Sequence, residues 1–494
     1  YLMKYVQYIQ KQKMKVPIIL NIYQKPESGY TKNIKRRTAA KINMEGEFMK
    51  RRFMKTVLPV CLATSMCMTG AITSSAEEGE DIVLKFTYKQ NASNDPLEAW
   101  LTEKNIIGQF EEQHPGVKIE LSPISSTEGD YATLLALQLS SSSTAPDVFM
   151  EDTYMTATDA ASGYLACLDD YLANWDDYSN YLDGTKDAVK GVDGKSYGVP
   201  ISTDSRGIWF NRDVLEKAGY GRDWQPKTWA DIIEAGQKIK ETQTDVAPLA
   251  MSVAASNGEA VSMQTFEQIL YGTGDTLYED GKWNVGSQGL KDTFAFIDEI
   301  VSSGIMLDLD QALSADTQVA NLLADGKIGM CLSVCTLSNT WLPTGSYPVE
   351  NVEEKIGFAG MPTQTGDPAT VTMTGGWSWA ISNYCENKDM AMEFLEFCGN
   401  KENATYRSLY DGRMSPRKDS VDIEEYGSKP FINEANANMA NAHVRPKNES
   451  YAMVTTQIQT IVEELVTGAL SPEEAEAEYK NRVVNIVGED NVYE

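Results

Sequence analysis

Ile82-Val-Leu-Lys-Phe-Thr-Tyr88, Asp95-Pro-Leu-Glu98, Val117-Lys-Ile-Glu-Leu121 and Asp147-Val-Phe-Met150 follow one another between residues 82 and 150 and decide the fold. The first stretch alternates and is rich in β-formers, so it reads as a strand. Asp95 is placed to cap a helix, with Pro96 at its first position and Glu98 at its third. Apolar residues recur at Leu97, Leu101, Ile106, Ile107 and Phe110, which predicts one helix ending at His114-Pro-Gly116. Residues 117–121 predict a second strand. A helix over about 131–139 runs into the serines at 140–143, and residues 147–150 predict a third, short strand. Strand, helix, strand in this rhythm implies an α/β fold. Its sheet is parallel or mixed and covered by helices, with ligands expected at the carboxyl ends of the strands.

The pattern continues outward. Gly191-Val-Asp-Gly-Lys-Ser-Tyr-Gly-Val-Pro200 is rich in turn residues and leads to a strand over 206–211. Thr228 caps a helix over 230–239, and a longer helix covers 290–301. Residues 327–335 read as a strand. Gly375-Gly376 precede an apolar strand over 377–381, followed by a helix over 389–397. Ser471-Pro-Glu-Glu474 is a capping box that opens the last helix. There is no internal repeat.

Length and charge narrow the classes. The chain has 494 residues, 43 Lys+Arg, 71 Asp+Glu and 2 His, a net charge of −28, and 42% hydrophobic residues. That length suits two or three domains with sizeable cores. The acidic balance argues against nucleic acid and against an anionic membrane surface as partners. Two histidines argue against His-based catalysis and against a multi-histidine metal site, and no cofactor is expected.

The N-terminal part reads as a leader. Met49-Lys-Arg-Arg52 is a positive start, an apolar run follows to Ile72, and Ser74-Ser-Ala76 supplies the small residues of a cleavage site. Residues 1–48 are expected to be upstream translation, residues 49–76 a signal peptide, and the exported chain to begin near Glu77. Of the charged residues, 14 of the 43 basic and 3 of the 71 acidic ones lie in 1–76, so residues 77–494 carry −39. Val60 before Cys61 and Met66 before Cys67 make poor lipid-attachment sites. Five cysteines remain, Cys167, Cys331, Cys335, Cys385 and Cys398, too few and too scattered for a disulfide framework. Cys331 and Cys335, four apart on a strand, are about 13 Å from each other and cannot bond.

The ordered motifs carry a resemblance. They are Phe110-Glu-Glu-Gln-His-Pro-Gly-Val117, Ala145-Pro-Asp-Val-Phe149, Asp193-Gly-Lys-Ser-Tyr-Gly-Val-Pro200 and Trp209-Phe-Asn-Arg-Asp-Val-Leu-Glu-Lys-Ala-Gly219. Pro226-Lys-Thr-Trp229, Gly326-Lys-Ile-Gly-Met330, Gly375-Gly-Trp-Ser-Trp-Ala-Ile381 and Leu470-Ser-Pro-Glu-Glu-Ala475 complete the set. Each is weak alone, and the ordered set over 82–485 resembles family 1 extracellular solute-binding proteins, the receptor subunits of bacterial ATP-binding-cassette importers. The resemblance implies a two-lobed periplasmic-binding-protein-like fold with a hinge and a cleft. Lobe 1 is expected over 77–204 plus about 376–445, and lobe 2 over about 205–375 plus 446–494. It further implies an exported, monomeric receptor that captures a small-molecule carbohydrate and delivers it to the permease subunits of the transporter. In one departure, the family often places Gly-x-Trp after Gly-Lys-x-x-Met. Here Cys331-Leu-Ser-Val-Cys335 stands there, and the nearest tryptophan is Trp341.

Sugar receptors stack aromatic rings on C–H faces and bond hydroxyls with carboxylates, amides and Arg. On that basis Trp377 is the leading cleft aromatic, after Gly375 and Gly376, with Trp341 as the second and core burial as the alternative for both; Trp379 shares the strand face of Trp377. Glu151 and Asp152 are expected in a loop after the third strand, and Asp204 at the first lobe crossing. Asn91, with Asn94, follows the first strand; Arg413 lies in a loop; Tyr451 begins the last large helical region. An anionic ligand would want several cleft Arg or Lys, and only Arg206 and Arg413 suggest themselves, so a neutral oligosaccharide is favoured. Catalytic motifs are lacking. Ser415-Pro-Arg-Lys418 matches Ser-x-x-Lys, but its partner motifs are absent. The rival reading is a secreted glycoside hydrolase working with two carboxylates.

Overall fold

In the computed structural model, residues 81–90, 95–126, 128–314 and 318–494 are described. The leader over 49–76, residues 1–48, Asn91 and Asn94 lie outside them. Among the described residues the strands are β1 (Ile82–Gln90), β2 (Val117–Ser125), β3 (Val148–Asp152), β4 (Val199–Pro200), β5 (Arg206–Asn211), β6 (Ala247–Ala250), β7 (Tyr278–Glu279), β8 (Lys282–Asn284), β9 (Ile328–Val334), β10 (Ile356–Pro362), β11 (Thr370–Thr374), β12 (Trp377–Ile381), β13 (Ala442–Val444) and β14 (Val492–Tyr493). They form a sheet of order β2-β1-β3-β12-β4, a second of order β13-β11-β10-β5-β9-β6, and a small third, β14-β8-β7. β1 runs parallel to β2 and β3, whereas β12 enters antiparallel to β3 and β4. In the second sheet β5 is antiparallel to both β10 and β9.

The first core fills around Leu84, Phe86, Trp100, Phe110, Trp379 and Phe394. Phe86 meets the Trp379 ring edge-on at 4.8 Å, a preferred aromatic geometry. The second sheet is covered on both faces, because neighbouring residues of a strand point to opposite sides. Phe210 enters a core with Ile232, Phe294 and Ile458, while Trp209 enters another with Trp341, Phe358 and Phe431.

Local signals act as the sequence predicts at several places. β5 and β12 span the expected residues. Asp95 Oδ1 accepts the N–H groups of Leu97 at 3.0 Å and Glu98 at 3.4 Å. Capping boxes at Thr228 with Asp231 and at Ser471 with Glu474 open the helices Trp229–Thr242 and Pro472–Val487. The helix expected from 96 to 113 is instead two, Pro96–Thr102 and Ile106–Gln113. Asn105 separates them at a φ of 57°, a left-handed conformation that its short polar side chain tolerates. The bend lets Ile106 and Phe110 join Leu97 and Leu101 in the first core.

The chain passes between the sheets after β4, after β11, and again between the helix Lys401–Asp411 and β13. The last passage covers the residues between Asp411 and Ala442. Met414, Tyr426, Phe431 and Ile432 pack around Trp209 and Trp341, because apolar partners lie on that face of the second sheet. Arg417 ties the same passage back to Asp177 of the first lobe at 2.6 Å. All five described cysteines are free, and Cys331 and Cys335 are buried. Burial pushes their thiols up to about 12 and about 11, so they act as small apolar fillers.

Candidate functional site

The first two passages between the sheets lie against each other. Ser202 Oγ accepts the Trp377 N–H at 3.2 Å, and the hydroxyls of Thr203 and Thr374 are 2.8 Å apart. Asp204 Oδ1 accepts the Gly375 N–H at 2.9 Å and Arg206 Nη1 at 2.6 Å. Arg206 Nη1 also donates to the Met373 carbonyl at 3.0 Å. Gly376 has a φ of 131°, and a Cβ there would stand 2.1 Å from the Ser202 carbonyl oxygen, so only glycine fits. Asp204 is buried. Burial opposes its ionisation, but Arg206 and the Gly375 amide outweigh that and hold its carboxyl below the usual value. Asp204 therefore ties the first passage to the second. Arg413 is half-buried and adds positive charge toward Asp204.

A small pocket lies at the carboxyl end of β3. Glu151 and Asp152 belong to the strand itself, not to a loop after it, because β12 pairs with them: Ser378 lies opposite Glu151 and Trp377 opposite Asp152. Tyr131, Trp377, Glu151 and Asp159 are among the residues that line the pocket. Trp377 is 3% exposed and meets the Tyr131 ring at 5.9 Å, so it is both core and pocket wall. The Tyr131 hydroxyl donates to the Met150 carbonyl at 2.7 Å. Asp159 comes from the short helix Thr156–Ala161 and shares a hydrogen bond with Glu151. Burial, then repulsion from Asp159, pushes the Glu151 carboxyl well above its ordinary range. Burial lifts Asp159 to about 6.

Arg445 connects this pocket to the second lobe. Its Nη2 donates to Asp152 Oδ1 at 2.9 Å and Thr153 Oγ1 at 2.8 Å, and its Nη1 lies 3.7 Å from Glu259 Oε2. Gly375 makes room for it: a Cβ there would meet Nη2 at 2.8 Å. Beyond it, the Tyr451 hydroxyl lies 2.7 Å from Glu267 Oε1 and 3.0 Å from Glu259 Oε2. Glu267 closes a single π-helical stretch, Ser262–Glu267, and burial lifts its carboxyl to about 8. π-Bulges recur at functional sites.

The expected residues thus divide. Glu151, Asp152 and Trp377 meet in one pocket, and Gly375, Gly376 and Asp204 lie where the two passages touch beside it. Tyr451 is fully buried with its hydroxyl engaged by two carboxyls. Trp341 is a core residue: it is 1% exposed, donates Nε1–H to the Ala320 carbonyl at 3.0 Å, and packs edge-on against Trp209. The displaced ring fills the second lobe because Trp209 and Phe358 offer it an aromatic partner surface. Tyr131, Asp159, Glu259, Glu267 and Arg445 were not singled out from the sequence. Lys418 donates to the Ser179 carbonyl at 2.8 Å and Ser415 bonds Ser420 at 2.7 Å, so the Ser-x-x-Lys pair is engaged elsewhere. Among the described residues no group of His, Cys, Asp and Glu is arranged to hold a metal ion, and no helix is long and apolar enough to cross a membrane.

Comparison with known proteins places this geometry. Residues 105–435 match the family described as bacterial extracellular solute-binding protein. An uncharacterized ABC transporter extracellular-binding protein of Pyrococcus horikoshii is 31% identical over 145 residues, 29% of this chain and 32% of that protein. The chain therefore spans about a third of that relative's length. The lactose-binding protein of Rhizobium radiobacter is 23% identical over 318 residues, covering 63% of this chain and 70% of its own. Among solved structures, the sugar-binding protein MalE of Xanthomonas citri superposes with a TM-score of 0.69 at 20% identity, covering 83% of this chain and 98% of that one. The two-lobed fold with hinge and cleft is shared.

Proposed function

The chain belongs to the bacterial extracellular solute-binding protein family, and from that premise we propose that it captures a carbohydrate without negative charge and delivers it to the permease of an ABC importer. The observation that carries the reading is the meeting of Trp377 and Tyr131 with Glu151 and Asp152 at the carboxyl ends of the strands, next to the hinge. Rings offer a surface for sugar C–H faces and carboxyls bond hydroxyls. Gly375, Gly376 and Asp204 form the hinge on which two lobes, divided near 200–206, 374–377 and 411–417, close over the ligand. The relatives named for lactose or described as sugar-binding support the ligand class. The protein works as an exported monomer, freed of its leader near Ala76.

It binds without turnover. A glycoside hydrolase sets two carboxyls about 5–9.5 Å apart, on either side of the bond it breaks. The relatives named for lactose binding and sugar binding support the receptor reading over the hydrolase.

The test is a thermal-shift screen of the chain from Glu77 onward against a library of neutral and anionic sugars. A ligand that binds only the folded state raises the melting temperature by mass action. At least one neutral sugar should do so and should be recovered unchanged by mass spectrometry. A shift from anionic sugars alone overturns the ligand class, and cleavage products overturn the receptor reading in favour of the hydrolase.

A further inference from the structure

Glu151 and Asp159 form a buried acid pair that no cation among the described residues answers. They are 1% and 4% exposed, and Glu151 Oε1 has no hydrogen-bond partner although it lines the pocket. The neighbouring guanidinium of Arg445 is committed to Asp152 and Thr153, at 2.9 and 2.8 Å. Among the described residues neither Glu151 nor Asp159 has an ion-pair partner. The other groups facing them are the Asp152 carboxylate, which adds repulsion, and the Tyr131 hydroxyl, which is engaged by Met150.

Buried charges are ordinarily paired, or lose their charge. Here the pair keeps one proton: Glu151 is lifted well above its ordinary range and Asp159 to about 6, so near neutral pH the two carboxyls share a single negative charge. That charge sits beside the rings of Tyr131 and Trp377. A neutral sugar would supply hydroxyls but leave the charge uncompensated. An ammonium group supplies donors and a countercharge together, and aromatic walls add cation–π attraction. An anion is excluded by the same charge.

We propose that this pocket receives the protonated amino group of a basic sugar, with Glu151 and Asp159 as its countercharge and Tyr131 and Trp377 as its walls. The inference rests on the reading of the chain as a carbohydrate receptor and narrows its ligand to one carrying an aminodeoxy ring.

The test compares amino sugars with their hydroxyl counterparts by titration calorimetry at matched ionic strength: glucosamine with glucose, galactosamine with galactose, mannosamine with mannose, and the β-1,4 dimers of glucosamine and glucose. At least one amino sugar should bind about tenfold or more tighter than its counterpart. Asp159→Asn, which removes the charge, should reduce that preference to within about twofold, and Asp159→Ser should do the same, so that either variant serves if the other fails to fold by circular dichroism, whereas Glu151→Gln, which leaves the charge on Asp159, should keep it. Amino sugars that bind no better than the neutral counterparts overturn the inference and leave the receptor reading standing. A preference that survives both Asp159 substitutions overturns the assignment of the countercharge. Failure of every sugar, amino and neutral, in this panel and in the library screen overturns both readings.

Discussion

Asp204 and Glu151 are both buried acids at strand ends beside the hinge, yet they are held in opposite states. Asp204 faces Arg206 at 2.6 Å and the Gly375 N–H at 2.9 Å and is kept ionised. Glu151 faces Asp159 and Asp152 and keeps a proton. Burial penalises the charged form of both, and the partner decides the outcome. The difference separates two roles that look alike in sequence. An acid already paired with a cation ties its surroundings together, while an acid with no cation beside it remains open to a ligand.

The comparison breaks first at Asp204. Asp204→Ala leaves Arg206 buried without its countercharge, and urea unfolding should show a loss of about 3–5 kcal/mol. A loss below about 1 kcal/mol would make Asp204 an ordinary surface acid and erase the contrast. Trp377→Ala removes a wall shared by core and pocket, so stability should fall by about 3–5 kcal/mol and sugar affinity by about 1–3 kcal/mol. Intact affinity in the folded variant would move the pocket away from this ring.

Gly376→Ala tests the hinge backbone. With a φ of 131° and a carbonyl where the new Cβ would go, it should cost about 1–3 kcal/mol by the same measurement. An unchanged midpoint would mean that the two passages shift apart freely.

The pH profile separates the two kinds of acid. Glu267, at about 8, and Asp159, at about 6, bind protons more tightly folded than unfolded. Their contribution is therefore complete below the ordinary carboxyl range and is lost as pH rises toward about 8. Asp204, lowered, behaves in the opposite sense: its contribution is present above the ordinary range and is lost on acidification. The melting temperature should fall from pH 5 to 8, and Glu267→Gln should flatten that slope. A rise over the same range would contradict the protonated acids. The smallest effect belongs to Glu151→Gln without ligand, which should change stability near pH 6 by about 1 kcal/mol or less, because an uncharged acid is replaced by an uncharged amide.

Much of the fold was legible along the chain. β5 and β12 lie where alternation and the paired glycines put them, and Thr228 and Ser471 cap the helices they announce. These signals act between residues a few positions apart, so they survive in one dimension. The break at Asn105 was not legible, because its cause is the pull of Ile106 and Phe110 into a core built from distant strands.

The sequence by itself determined the α/β order, the helix caps, the glycines at the crossing and the acidic, aromatic character of what surrounds it. Only the tertiary structure decided which groups are engaged. It buried Trp341 against Trp209, set Tyr451 between Glu259 and Glu267, and brought Arg445 to Asp152 across 293 residues of chain. The physical reason is range: a cap or a strand period depends on near neighbours in sequence, whereas the charge of a buried acid depends on whichever group folding brings within a few ångströms of it.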